Sequence, residues 1–374
     1  MRLPLTLSRY IGRQFFVAAM VTLVLVLVLV GLIELLELVR RASRAVHSVP
    51  FSILLEMMLL KLPSSAERLY PFVFLIGGMV ALSRLTRNSE LVVTRAAGVS
   101  VWQFLMPGIL VALALGVFFV TALNPIGAVA IAKFDRMEGK YIAGNASLLS
   151  VLPSGLWLRQ VGEENLAVRG TQAHEYIMHA DRINQDNLAF ENVTMFLFDA
   201  RHSFVGRIDA PTAALATGRW ELPTATLATP TTKPQALSDY ALPTQLTIEQ
   251  IKDSFAAPET FSFWQLPAFI AVLEKAGFSA LQHKLHFHSL MALPMLLAGM
   301  VMLAAVFSLR QPRRGRTGVM LVFGMAVGFA VYFMTYVIYE FGASGNLPVV
   351  LAAWAPTLIV LMAASAALLH LEDG

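Results

Sequence analysis

Residues 21–38 read VTLVLVLVLVGLIELLEL. The apolar run starts earlier, at about Phe15, and is long enough to cross the hydrocarbon core of a bilayer as one helix. Arg2, Arg9 and Arg13 precede it and no small-residue cleavage site follows, so it reads as a retained signal anchor with a cytoplasmic N-terminus. Residues 51–62 are apolar but carry Glu56 and Lys61 and meet Pro63, which predicts an interfacial segment ahead of a second span at about 66–85. Arg84, Arg87 and Arg95 mark a cytoplasmic loop, and a third span at about 102–123 is expected to stop at Asn124-Pro125. Three further spans lie at about 288–309, 319–339 and 349–369, the first two of them joined by the arginine-rich RQPRRGR.

Between the two sets of spans the pattern changes to alternation, as in residues 175–178 (EYIM) and 192–198 (NVTMFLF), which is the period of strands. Thr217-Gly218 separates DAPTAALA from RWELPTATLA as a hairpin turn would, and PTTKP reads as a loop. A helix over residues 266–275, stopped near Gly277, leads back to the membrane. The expected fold is a membrane α-helical bundle of six transmembrane helices with an all-β, sandwich or jelly-roll-like periplasmic domain. Residues 1–123 would hold spans one to three and a cytoplasmic helix at about 88–98. Residues 124–265 would form the outer domain, and residues 266–374 the connecting helix and the last three spans. Six spans put both termini in the cytoplasm, and the positive-inside count independently places the strand domain on the far side.

Composition excludes several classes. Of 374 residues, 57% are hydrophobic and only 14% charged, with a mean hydropathy of +0.66, values unsuited to a soluble protein. The absence of cysteine removes disulfides, thiolate metal sites and a cysteine nucleophile. The net charge of +4 is small and its arginines cluster at span ends, unlike the basic face of a nucleic-acid binder. No lysine is followed by Ser or Thr, so there is no Walker A loop, and any ATP-driven work belongs to another polypeptide. No cofactor is expected.

Several residues could carry chemistry. Residues 88–98 (NSELVVTRAAG) read as a short helix capped at Asn88 or Ser89 and closed by Gly98. It is either a docking helix for a cytoplasmic subunit, with Glu90 near its positive end, or an interfacial connector. Glu34, Glu37 and Arg41 fall on one stripe at the far end of the first span, with Arg40 and Arg44 nearby. They suit phosphate or carboxylate recognition, or ordinary snorkelling with a Glu37–Arg41 intrahelical pair. Lys133, Arg136 and Lys140 add a second basic stretch. Gly324 and Gly328 make a small-residue face for close helix approach. His283, His286 and His288 lack the spacing of a zinc hydrolase, and the sequons at Asn145 and Asn192 are common by chance.

RYIGRQFF (9–16), SELVVTRAAGVS (89–100), SLLSVLPSGLW (147–157) and the three-plus-three layout around a strand-rich insertion resemble the LptF/LptG (YjgP/YjgQ) family of lipopolysaccharide export permeases, nearer its LptG branch. The resemblance covers essentially the whole chain. It implies an LptF-like sister permease, an LptB-like ATPase dimer beneath the pair, an LptC-like single-span protein beside it, and lipopolysaccharide as cargo, handed to a bridge of jelly-roll domains. It further implies that Glu90, Leu91 and Arg95 lie on the ATPase-coupling helix, and that Arg40, Arg41, Arg44, Lys133 and Arg136 approach lipid phosphates. Glu34, Glu37, Gly324 and Gly328 would line the cavity or face a partner helix. Glu34 departs from relatives with a basic residue inside the first helix. Two readings from other classes are a membrane-anchored enzyme, for which no convincing nucleophile and base pair is present, and an assembly factor that binds partners by strand addition.

Overall fold

The computed structural model describes residues 5–43, 49–142, 156–168, 171–184, 189–199, 201, 203–216, 218–230, 232–244, 257–275, 279–308 and 317–373. Arg44, the sequon at Asn145, Gly277, the turn residue Thr217, the stretch RQPRRGR and most of SLLSVLPSGLW lie outside them. The chain divides into two compact units. One comprises Met1–Ile142, Pro258–Pro267 and Leu281–Gly374, the other Ala143–Ala257 and Ala268–Ala280.

The helical elements of the first half are α1 (Leu5–Ala42), α2 (Phe51–Arg87), the short α3 (Glu90–Ala96), α4 (Val101–Phe118), a π-helical turn (Phe119–Leu123) and α5 (Asn124–Tyr141). After the strands come a 3-10 turn (Pro258–Thr260), α6 (Leu266–Lys275), α7 (Leu281–Ser308), α8 (Thr317–Ala343) and α9 (Val349–Asp373). Counting α4 to α5 as one, six helices are long and apolar enough to cross a membrane. At 1.5 Å per residue α1 and α2 are each roughly 55 Å long, well beyond the ~30 Å hydrocarbon core. Hydropathy marks only the apolar part of such a helix, which is why the first span was expected to begin ten residues later than Leu5.

Two expected helix ends are not ends. Pro63 lies inside α2, which runs unbroken from Phe51, so the separate interfacial segment does not exist. A proline in a membrane helix is tolerated where tertiary packing holds the helix, and Pro63 removes only the bond its N–H would have given to the Leu59 carbonyl while α2 continues through it. Asn124-Pro125 likewise fails to stop the third span, which passes through the π-helical turn into α5 and continues to Tyr141, so residues 124–141 are helix and not part of the strand domain. Pro125 has no N–H to offer the Thr121 carbonyl four residues earlier; that carbonyl accepts Trp264 Nε1 at 3.1 Å. The buried Asn124 side chain completes the joint. Its Nδ2 donates to Glu67 at 3.2 Å and its Oδ1 accepts the Phe263 N–H at 2.7 Å.

The second unit holds β1 (Leu156–Val168), β2 (Thr171–Asn184), β3 (Ala189–Phe198), β4 (Phe204–Ala216), β5 (Arg219–Ala228) and β6 (Gln235–Pro243) in one antiparallel sheet. The strands lie in chain order, β1-β2-β3-β4-β5-β6, so among the described residues the topology is a meander, without the crossovers of a jelly roll. The β4–β5 hairpin turns where the sequence placed it. Ala216 pairs with Arg219, and Gly218 adopts φ 76°, a left-handed conformation that costs glycine little. In β3 the alternation of buried residues slips between Phe190 and Val193, around Asn192 at φ 52°.

This sheet encloses its own core. Neighbouring strands are ~4.8 Å apart, so β2 and β5 would sit about 14 Å apart in a flat sheet. Yet Trp220 Nε1 on β5 donates to the Tyr176 hydroxyl on β2 at 3.2 Å, and Phe190 on β3 meets the Trp220 ring edge-on with centroids 4.9 Å apart. The same Tyr176 hydroxyl hydrogen-bonds Thr244, just past β6. The sheet therefore curls until β2 through β6 share one apolar interior, including Met178, Met195, Leu197, Ile208, Leu222 and Leu242. Burial favours the neutral phenol of Tyr176 and pushes its pKa up to about 12, against smaller opposing effects of the bonds to Thr244 and Trp220.

Candidate functional site

The short helix α3 is bracketed as its sequence predicts. Ser89 takes φ 62° and breaks the chain away from α2, and its carbonyl accepts the Val93 N–H at 3.1 Å. At the other end Gly98 has φ 82° and the Val99 N–H reaches the Thr94 carbonyl at 3.3 Å, a Schellman closure that needs a residue without Cβ strain. Glu90 opens the helix, where the exposed N–H groups favour a carboxylate. One of its oxygens, Oε1, accepts from Tyr10 Oη and from Asn88 Nδ2, both at 3.1 Å. No ion pair neutralises Glu90 among the described residues. Val93 on the same helix is 67% exposed. The backbone places Leu91 and Arg95 on α3 as well. A carboxylate without an ion pair among the described residues, beside an exposed valine, is a surface chemically able to meet a basic and apolar groove.

At the C-terminal end of α1 the expected basic residues come together with carboxylates. Arg41 bridges Glu37 on its own helix and Glu138 of α5, the latter at 2.8 Å. Lys133 of α5 pairs with Glu56 of α2 at 2.7 Å. Glu34 is held by Lys61 Nζ at 2.6 Å and accepts Ser65 Oγ at 3.1 Å, both from α2, while Lys61 also lies 5.5 Å from the centre of the Phe134 ring. Arg136 donates from Nε to the Ala132 carbonyl at 3.1 Å, and Arg40 has no ion pair among the described residues. Beneath these pairs Leu38, Leu54, Met57 and Phe134 form one buried cluster joining α1, α2 and α5. The intrahelical Glu37–Arg41 pair is therefore present, but it is one strand of an interhelical network.

Gly324 and Gly328 do admit a close helix, and that helix is α2 of the same chain. A Cβ at Gly324 would collide with Met79, and one at Gly328 would lie 2.8 Å from Leu75 and 3.2 Å from Phe72. Among the described residues no group of three His, Asp or Glu side chains converges, the three histidines included. His283 and His286 are buried in α7.

The profile described as "Lipopolysaccharide export system permease LptF/LptG" matches residues 9–370. The chain belongs to that family. It is similar to the lipopolysaccharide export system permease protein LptG of Haemophilus influenzae, at 23% identity over 363 residues covering 96% of each chain. It is similar also to the protein of that name in Escherichia coli K12, at 24% identity over 362 residues covering 94% of each. With six apolar helices of crossing length, this member of the LptF/LptG family is a multi-pass membrane protein.

Sequence reasoning missed the partners within this LptF/LptG chain. Tyr10 was legible only as part of RYIGRQFF, with no sign that it reaches 80 residues ahead to Glu90. Lys61 and Glu56 were noted as interruptions of an apolar segment, and Glu138 was not singled out. Their i, i+5 spacing on α2 gives no reason to choose those partners, since local spacing predicts contacts only along one helix.

Proposed function

We propose that this chain is an LptG-type permease subunit of an ATP-driven transporter that extracts lipopolysaccharide from the inner membrane and passes it to a periplasmic bridge leading to the outer membrane. The observation that carries this reading is the family match over nearly the whole chain, bundle and strand region together. It is a transport subunit, with ATP hydrolysis performed by an LptB-like ATPase dimer docked on α3, and it pairs with an LptF-like sister permease and an LptC-like single-span protein. Both termini face the cytoplasm and the curled sheet lies in the periplasm. The curled meander would offer an edge strand to the bridge by strand addition, a reading that the antiparallel order and the self-contained core support.

The residues divide the work. Glu90 with Leu91 and Arg95 receives the ATPase, because an unpaired carboxylate at a helix start meets a basic residue with little competition from its own chain. Arg40 and Arg136, which have no ion pair among the described residues, would be first to meet lipid phosphates. Arg41 and Lys133 would do so by exchanging a carboxylate for a phosphate, and Glu34 with Lys61 presents a neutral pair in place of a fixed cation. Gentle-detergent purification of the tagged chain from native membranes tests this. Recovery of an ATP-binding subunit, a sister permease and lipopolysaccharide is expected, with the ATPase lost in Glu90→Lys. A lone chain under conditions that preserve other membrane complexes would refute it.

A further inference from the structure

A cavity of about 360 Å³ opens between α2, the π-helical turn with α5, α7 and α8, apart from the ion-pair network at the end of α1. Its floor is apolar, with Phe119, Leu290 and Leu293, and its rim carries Glu67, Arg68, Glu259 and Glu340. Arg68 pairs with Glu259 at 3.2 Å. Glu67 is bonded by Asn124 Nδ2, and neither it nor Glu340 has a cationic partner among the described residues. The rim is therefore net negative, with one guanidinium beside two uncompensated carboxylates. A wall residue adds an independent sign of an absent guest: His286 is only 6% exposed, lines the cavity, and its Nε2 is buried with no hydrogen-bond partner.

We propose that this cavity holds one aminophospholipid of the surrounding bilayer, with its primary ammonium between Glu67 and Glu340, its phosphate toward Arg68, and part of one acyl chain along Phe119, Leu290 and Leu293. Three features select this guest. A net-negative rim repels an anionic headgroup and attracts an ammonium. Carboxylates accept hydrogen bonds that a primary ammonium donates and a quaternary one cannot. The volume sits at the small end of ligand cavities, which suits one chain and a compact head better than a lipid with many chains. The proposal does not depend on which cargo the protein transports.

The test is native mass spectrometry of the full chain in detergent with phosphatidylethanolamine, phosphatidylglycerol or phosphatidylcholine of identical chains, and separately with lipopolysaccharide. Phosphatidylethanolamine should be retained roughly tenfold better than phosphatidylglycerol, as two charge contacts of modest strength would give. Glu67→Gln with Glu340→Gln should erase that preference, and Leu293→Trp should lower retention of all three by filling the floor. Glu340→Gln alone, at an exposed position, reads the preference if the double variant does not fold. Equal retention of phosphatidylglycerol, equal retention of phosphatidylcholine, or a preference that survives the carboxylate changes would overturn the proposal. Retention of lipopolysaccharide alone would also overturn it, by assigning the cavity to the cargo.

Discussion

The two ends of α1 hold on to the rest of the bundle in different ways. Near the N-terminal end, Tyr10 gives a single hydrogen bond to Glu90 of α3 and leaves that carboxylate's charge unneutralised. Near the C-terminal end, Glu34, Glu37 and Arg41 are each matched by an opposite charge on α1, α2 or α5. Between them lies a bare apolar face with Val17, Val21, Leu25, Leu29 and Leu36 exposed. A charge without an opposite charge beside it can attract another molecule, whereas a neutralised network fixes helices of one chain to each other. One helix thus joins a carboxylate without an ion pair among the described residues to a locked polar cluster.

The largest effect expected breaks the open end. Glu90→Lys should abolish export in a complementation assay, a loss of at least about 100-fold, with normal expression, because it places like charges together where an ion contact is proposed. Complementation at the wild-type level would sink the coupling assignment. Next comes the locked end. Lys61→Ala leaves Glu34 partly buried and unpaired and should cost about 2–3 kcal/mol in thermal unfolding, while Lys61→Met with Glu34→Gln should recover most of it. Failure of the double change to recover stability would mean that the helices are held by packing rather than charge.

The self-contained sheet supplies a separate reference. The folded-state pKa of Tyr176 lies above its unfolded value of about 10, so its stabilising effect is complete below that pH and is lost as pH rises toward about 12. A shift of this size corresponds to about 2–3 kcal/mol. Alkaline unfolding followed by tryptophan fluorescence should show the drop, and Tyr176→Phe should flatten it. Smaller still, Tyr10→Phe should lower ATPase-coupled export about fivefold while leaving ATPase recovery intact, since it removes one hydrogen bond worth roughly 1 kcal/mol and no charge. Arg41→Ala, at a half-exposed position, should change unfolding by less than about 1 kcal/mol, and less at high salt. An effect of several kcal/mol there would make the exposed bridge, and not the Glu34–Lys61 pair, the centre of the network.

Much was legible along the chain because it is encoded locally. Apolar runs mark helices that water would not tolerate, the alternation in β3 marks its buried face, and Ser89 and Gly98 mark the bounds of α3. The same local logic gave Glu37 and Arg41 as neighbours four residues apart. It failed at Pro63 and Pro125. Proline is a helix breaker only where nothing else satisfies the freed carbonyls, and whether something does depends on distant residues such as Trp264.

The amino-acid order by itself determined that this protein has six crossing helices around a strand-rich region, where its short helix begins and ends, and which residues are too polar to be incidental in apolar segments. Only the tertiary structure decided what those polar residues meet. Glu34 meets Lys61, Arg41 meets Glu138 and Tyr10 meets Glu90, across 27, 97 and 80 residues of chain. Periodicity tells a segment which face to bury, but the identity of the neighbour is set by which helices pack together, and that choice is a property of the whole bundle.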